Sequence, residues 1–259
     1  KRKNKLKRRA WIVILLPRKI IGYSFISLTL ILLLIFFTLP YGYLTVIQTK
    51  ILNEITVVID PGHGGIDGGV CRGDDLLEKD INLEIAKLLH ACLLKKGCSV
   101  KMTRETDTDV SHLIPGGPET RHRRDVHSRA KYINESNGDL FISIHVNSCE
   151  DPYTRGAITF YGAHSEESLV LAEIIQGYLN LVTETDPGSG EYYHKGIKSG
   201  DLYILNNTAI PGVLVEVGFI TNTNDKKLLG TREHRRRLAE AICNGIIAFT
   251  TGFPADNIP

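Results

Sequence analysis

None of the five cysteines, Cys71, Cys92, Cys98, Cys149 and Cys243, forms a C-x-x-C pair. A cysteine cage for zinc is therefore not expected. An odd count outside the cytoplasm leaves at least one free thiol. Cys92 and Cys243 each fall in a helical pattern and read as buried structural thiols, with one disulfide left open and unassigned. Acid is also missing where base is abundant. Residues 1–50 hold ten Lys/Arg and no Asp or Glu, which leaves 21 basic against 29 acidic residues in the remainder. That acidic remainder argues against a nucleic-acid partner, whose phosphates require a basic surface. The chain shows no internal repeat, and no low-complexity tract beyond its basic start.

Charge of either sign is absent from residues 20–39, IIGYSFISLTLILLLIFFTL. At ~1.5 Å of rise per residue, a helix of that length covers the ~30 Å hydrocarbon core of a bilayer. It has no polar face of the kind a soluble helix carries. Seven of the first nine residues are positive, Arg18 and Lys19 follow, and the next cation is Lys50. The positive-inside rule places the N-terminus in the cytoplasm and everything after Pro40 outside. The run ends in TLPYGYLTV, without the small-residue site of a cleaved signal peptide, so an uncleaved anchor is expected. The apolar stretch 11–16 is too short to span. The implied order is a basic cytoplasmic segment (1–19), a transmembrane helix (20–39), a linker (40–54), a catalytic domain (55–251) and a tail (252–259).

Within 55–251 the hydrophobic period switches repeatedly. Short β-branched runs at 55–60, 99–103, 140–146, 156–161 and 213–219 read as strands. Helical patterns occupy about 78–96, ending at Gly97, then 119–136, then 165–182 opened by Ser165, and 232–251. Residues 105–118 and 183–201 read as loops. This alternation predicts a single α/β domain with a mostly parallel central sheet and helices on both faces. About 200 residues suffice for one buried core.

In such folds sites form at the carboxyl ends of strands. The run ITVVID leads into Pro61-Gly62-His63-Gly64-Gly65, LFISI into His145, and VLV into Glu216, while Glu78 opens the first helix. Neutral imidazole and carboxylate oxygen both suit zinc. The glycine loop lacks the Lys and Ser/Thr of a phosphate cradle, and Asp60 and Asp67 would repel phosphate. Asp60, Asn82 and Asn147 are candidates to hold the ligands or touch substrate. Helix capping and turn formation are equally good accounts of them. Cys149, four residues after His145, reads as a loop thiol without a metal role. His90, His112, His122, His127, His164, His194 and His234 match no motif and are expected mostly in solvent. The runs at 121–124 and 235–237 are expected to be charged helix faces.

Four ordered motifs carry a resemblance. They are Asp60-Pro61-Gly62-His63-Gly64-Gly65, Glu78-Lys79-Asp80-Ile81-Asn82, Ser143-Ile144-His145-Val146-Asn147, and Glu216-Val217-Gly218-Phe219-Ile220-Thr221-Asn222. Together they resemble the zinc-dependent N-acetylmuramoyl-L-alanine amidases of the amidase-3 type. The short connections, the anchor and the absence of a wall-binding repeat are most similar to the germination-specific branch, which helps make muramic-δ-lactam in the spore cortex. The resemblance implies one Zn²⁺ held by His63, Glu78 and His145, and Glu216 as the catalytic carboxylate. A fourth ligand or a structural ion pair are the other roles open to Glu216. Such a donor set leaves the fourth zinc position to water. The implied substrate is a peptidoglycan glycan strand with its stem peptide. The implied location is the cell membrane with the catalytic domain outside, and a second protein that activates it is conceivable. Rival readings are another wall-directed zinc hydrolase, such as a carboxypeptidase or deacetylase, and a non-catalytic anchored wall-binding protein.

Overall fold

A computed structural model of the chain describes residues 27–31, 34, 52–70, 76–116, 120–183 and 196–252. It divides into two compact units, Lys1–Ile47 and Gln48–Pro259. In the first unit residues 27–31 and 34 are helical and exposed. The rest of the expected span 20–39 lies outside the described residues. Among those described, no helix is long and apolar enough to cross a membrane.

The second unit is built on strands β1 (Thr56–Pro61), β2 (Ser99–Met102), β3 (Leu140–Asn147), β4 (Ile158–Tyr161), β5 (Ile197–Ser199) and β6 (Gly212–Phe219). They form one sheet in the order β2-β1-β3-β6-β4-β5. The pairs β1–β2, β1–β3 and β3–β6 are parallel, as is β4–β5, while β4 runs antiparallel to β6. The reversal has a simple cause. The connection from β3 to β4 contains no helix, and so short a link cannot make the crossover that a parallel return needs.

Period-two alternation sorts the strand residues between two cores. Val57 and Ile59 of β1, Ile142 and Ile144 of β3, and Val213, Val215 and Val217 of β6 enter the larger one. There they meet α1 (Glu78–Lys96), α3 (Glu166–Thr183) and α6 (Arg232–Thr250). Each fully buried Ile or Leu in this layer contributes roughly 1.5–3 kcal/mol relative to exposure. The alternate residues Val58, Phe141 and Leu214 face a smaller cluster with Ile133 of α2 (Arg121–Glu135) and with Ile204 and Leu205 of the single turn α4 (Tyr203–Asn206). One face of the sheet is thus covered by three long helices, the other by one long helix and a turn. The same parity puts Asp60, Ser143, His145 and Glu216 on the thinly covered side.

Helix ends follow their local chemistry. Gly97 takes a left-handed conformation and its N–H reaches back to Leu93 and Leu94, closing α1. Thr120 and Thr231 cap α2 and α6, and the Ser165 hydroxyl accepts from the Ser168 amide at 3.1 Å to open α3. Three elements escape the sequence pattern because they are too short to show a period: β5, inside the stretch expected to be loop, α4, and α5 (Thr223–Leu229). A one-turn 3₁₀ helix, Ser111–Leu113, sits within the other expected loop. Residues 52–54, expected as the end of a linker, include a buried Leu52 that belongs to the larger core.

Cys92 and Cys243 are joined in a disulfide, so the reading of two separate buried thiols is corrected. Their helices, α1 and α6, pack side by side, which brings residues 151 apart in sequence into bonding range. Cys98 is free and buried, and burial pushes its thiol up. A cross-link over so long a loop restricts the unfolded chain strongly. Cys243→Ser is expected to lower stability by about 2–4 kcal/mol in guanidinium unfolding. The wild type under reductant should fall to the same value.

Candidate active site

β1 ends at Pro61, and the chain turns sharply. His63 adopts φ 60°, the left-handed region that few non-glycine residues occupy. Gly62 must be glycine for a packing reason: a Cβ there would overlap the imidazole of His145. His145 comes from the last turns of β3 before a register shift against β6. Glu78 is the first residue of α1, where a carboxylate also suits the positive end of the helix dipole. Three elements therefore deliver three side chains to one point above the sheet.

Potential ligand atoms of His63, Glu78 and His145 all lie within 4.8 Å of one another. Glu78 Oε1 is 3.2 Å from His63 Nε2 and 3.1 Å from His145 Nδ1. It also accepts from the Val146 amide at 3.0 Å and from Asn82 Nδ2 at 3.3 Å, while Oε2 accepts from the Val70 amide at 2.7 Å. Glu78 is 2% exposed in its side chain, against 18% for His63 and 21% for His145, so the trio opens to solvent through its imidazoles. Burial alone would raise the Glu78 carboxyl. Hydrogen bonds and charge from His145 and His63 outweigh it and hold the group well below the usual carboxylate range. Burial likewise disfavours charge on His63, yet Glu78 and then Asp67 raise it to about 9. The field between the rings favours positive charge, and two imidazoles with one carboxylate form a donor set that can hold a divalent metal.

Glu216 stands on β6 in register with His145. It is half-buried, and its Oε2 is shut away from solvent without a hydrogen-bond partner. Burial pushes this carboxyl up to about 7, with His145 and His63 opposing and Glu78 reinforcing the rise. A carboxyl titrating near neutrality is suited to move protons. His63, His145 and Glu216 line a cleft of about 280 Å³, which also draws on Asp67, His122 and Arg129, and on Leu202, Tyr203 and Ile204.

The three further candidates separate. Asn82 bonds both Glu78 and the Gly62 carbonyl, each at 3.3 Å, so it steadies a ligand-type side chain. Asn147 accepts from the neighbouring Ser148 amide at 2.7 Å, a turn contact. Asp60 is fully buried, and Thr103, Ser143 and Arg129 bond it at 2.6, 2.7 and 2.8 Å. Its role runs through Arg129, which donates to the carbonyls of Pro61 and His63 at 2.6 Å each and to Asp125 at 2.7 Å. Arg104 donates to the carbonyls of Pro61 and Gly62 at 2.9 Å each. Two buried guanidiniums thus clamp the backbone on which His63 sits. Burial and then Arg129 push Arg104 down to about 10.

Sequence reasoning missed both arginines and Asp67. Asp67 Oδ2 lies 2.9 Å from His63 Nδ1 and 3.2 Å from His122 Nδ1, which fixes the outer nitrogen of the His63 ring. Its spacing, four residues past His63 in a glycine loop, was a usable signal. For Arg129 the signal was its i,i+4 partner Asp125 on the inner stripe of α2. The run 121–124 is not simply a solvated face, since Arg121 pairs with Asp109 and His122 with Asp67. His127 and His234 also leave solvent, the one stacked on Tyr203, the other buried. Asn222 caps α5, and Cys149 bonds the Asp151 carbonyl.

A family model described as N-acetylmuramoyl-L-alanine amidase matches residues 57–248. The chain belongs to the N-acetylmuramoyl-L-alanine amidase family. The germination-specific N-acetylmuramoyl-L-alanine amidase of Bacillus subtilis is 36% identical over 77% of this amidase and 81% of its own length. Among solved structures, the CwlD amidase from Clostridioides difficile, determined in complex with the GerS lipoprotein, superposes with a TM-score of 0.68. It is 33% identical over 77% of this chain and all of the other. An N-acetylmuramoyl-L-alanine amidase from Clostridium difficile 630 gives a TM-score of 0.64 at 29% identity, covering 76% and 97% of the two chains. The protein is a cell-wall amidase, and the α/β domain with its helix-flanked sheet is the fold of its relatives.

Burial would raise the Asp60 carboxyl, but Arg129 and then the Thr103 and Ser143 hydroxyls hold it below its ordinary value. Its contribution to stability is therefore present above ~3.9, the unfolded value, and is lost as pH falls through the folded value. Asp60→Ala leaves Arg129 buried without that partner and is expected to cost about 3–5 kcal/mol. Chemical unfolding at pH 7 measures it, and a cost below about 1 kcal/mol would show that the pair does not hold the loop.

Proposed function

We propose that this amidase uses one zinc ion, held by His63, Glu78 and His145, to hydrolyse the bond between the lactyl carbonyl of N-acetylmuramic acid and L-alanine. The observation that carries the reading is the convergence of those three side chains beside the unpartnered Oε2 of Glu216. The donor set fits the ion. Two ligands at ~2.0–2.1 Å from a tetrahedral zinc stand about 3.3 Å apart, close to the 3.1 and 3.2 Å separations around Glu78 Oε1. Asp67 on the outer nitrogen of His63 supplies the carboxylate–histidine support that zinc centres use.

Zinc, when bound, supplies Lewis acidity toward water and the amide carbonyl. The chain supplies the proton path. Glu216 takes a proton from the attacking water and returns it to the amine nitrogen as the C–N bond breaks. Asn82, Asp67 and the arginine clamp hold the ligand side chains still, which keeps the reacting groups in line.

We extend the reading to the setting. The uncharged run 20–39, the basic residues before it and the exposed apolar side chains of Leu28, Leu30, Ile31 and Leu34 support a membrane anchor with the catalytic unit outside the cytoplasm. The Cys92–Cys243 disulfide suits an oxidising compartment. The germination-specific relative supports a role in germination, and we place that role in the spore cortex, where the amidase would help make muramic-δ-lactam. The solved complex of a relative with a lipoprotein supports a protein partner, to which we assign an activating role.

Mass spectrometry of peptidoglycan digested by the zinc-loaded protein is the test. Glycan strands stripped of whole stem peptides are expected, whereas shortened peptides or free acetate would identify a carboxypeptidase or deacetylase instead. Glu216→Gln should lower kcat about 10²–10⁴-fold while zinc stays bound; loss of zinc in that variant would make Glu216 a ligand. His63→Ala and Glu78→Ala should lose zinc and activity together.

A further inference from the structure

The cleft beside the trio has a feature that amide hydrolysis itself does not use. Residues 202–204 give it an apolar lining, and Tyr203 is the single phenol ring among the described residues that line it. Tyr203 stacks on His127 with ring centroids 3.8 Å apart and planes at 10°. It nevertheless remains 39% exposed. One face of the phenol is therefore seated on an imidazole, and its free surface belongs to the cleft that also holds His63, His145 and Glu216. A ring held in this way has little rotamer freedom left to lose when a ligand covers it.

Resting on the reading of the bond just proposed, we infer that Tyr203, positioned by His127, is the platform that binds the muramoyl sugar ring and makes the enzyme select glycan-linked peptide over peptide alone. The scissile amide has unlike groups on its two sides. A saturated pyranose presents a face of C–H groups, which the electron-rich face of an aromatic ring attracts. The stem peptide is polar and charged, and the cleft offers it Asp67 and His122 instead. No other described lining residue provides a flat apolar surface for the sugar.

The test compares two soluble substrates with the zinc-loaded full chain. One is an N-acetylmuramoyl peptide, and the other is the same peptide carrying only a D-lactoyl group. The readout is the ratio of kcat/KM for the first over the second. Tyr203→Ala is expected to lower that ratio at least tenfold, mainly through KM for the muramoyl substrate. Tyr203→Phe should keep it within about twofold, and His127→Ala should lower it severalfold. Zinc content and melting temperature of each variant check the fold. An unchanged ratio, whether both substrates lose equally or neither loses, overturns the proposal. The underlying reading fails separately, by wild-type protein that leaves the muramoyl amide intact.

Discussion

Asp60 is charged, fully buried and placed where β1 must stop being a strand. Everything at the site follows from how that position is managed. The next residues must leave the sheet, pass beneath His145 with no side chain at Gly62, and present His63 at a positive φ. Such a backbone does not hold itself, because its carbonyls have left the ladder of the sheet. Arg129 and Arg104 replace the missing strand partner with guanidinium N–H groups aimed at the carbonyls of Pro61, Gly62 and His63. Burying two cations is tolerable only with carboxylates beside them, and Asp60 and Asp125 answer that need. The metal-type trio is therefore a consequence of a buried charge network one layer below it.

The unequal cover of the sheet does the rest. Three long helices seal one face, and the alternation of β1, β3 and β6 assigns the polar residues to the other. A full set of helices there would have closed over Glu216. Because α4 is a single turn, the carboxyl ends of the strands stay open as a cleft. Glu78, the first residue of α1, meets the two imidazoles from beneath the cleft. Its helix is fixed at the far end by Gly97 and along its length by the disulfide to α6. A ligand on a helix so anchored is held more exactly in place than one on a loop.

Much of this was legible in the residues. Long elements with a clear period, such as α1 and β3, were found nearly to the residue, and the parallel sheet follows from their alternation. His63, His145 and Glu216 stood out because metal-type residues rarely follow several buried strands at once, and Glu78 because a further carboxylate opens the first helix. Partners across the fold were not legible. Asp60 looked like a neighbour of the ligands in sequence, yet it acts 69 positions away through Arg129. Asn147 looked equivalent to Asn82, but a strand end and a helix face send their side chains in different directions. The short elements α4 and α5 carry too few residues to display a period, so Tyr203 could not be placed at the cleft. The disulfide needed the side-by-side packing of α1 and α6, which no spacing encodes.

Two acceptors in the site depart from the rule that the rest obey, and of these only Glu216 is titratable. Nearly every buried polar atom around the trio is bonded, some twice over, while Asn82 Oδ1 and Glu216 Oε2 have no partner. Leaving a buried acceptor unpaired costs roughly 1–3 kcal/mol, and a hydroxyl or amide from the neighbouring strands would have removed the cost. Asp60, two strands away on the same face, received such partners in Thr103 and Ser143. Burial raises both carboxyls, with opposite outcomes. The one that is fully bonded stays charged and holds structure. The one left bare is raised to about 7, where it can both accept and release a proton. An unsatisfied carboxylate oxygen among mostly bonded neighbours is where local stability has given way to reactivity. It lies in register with His145, in the cleft that also holds His63.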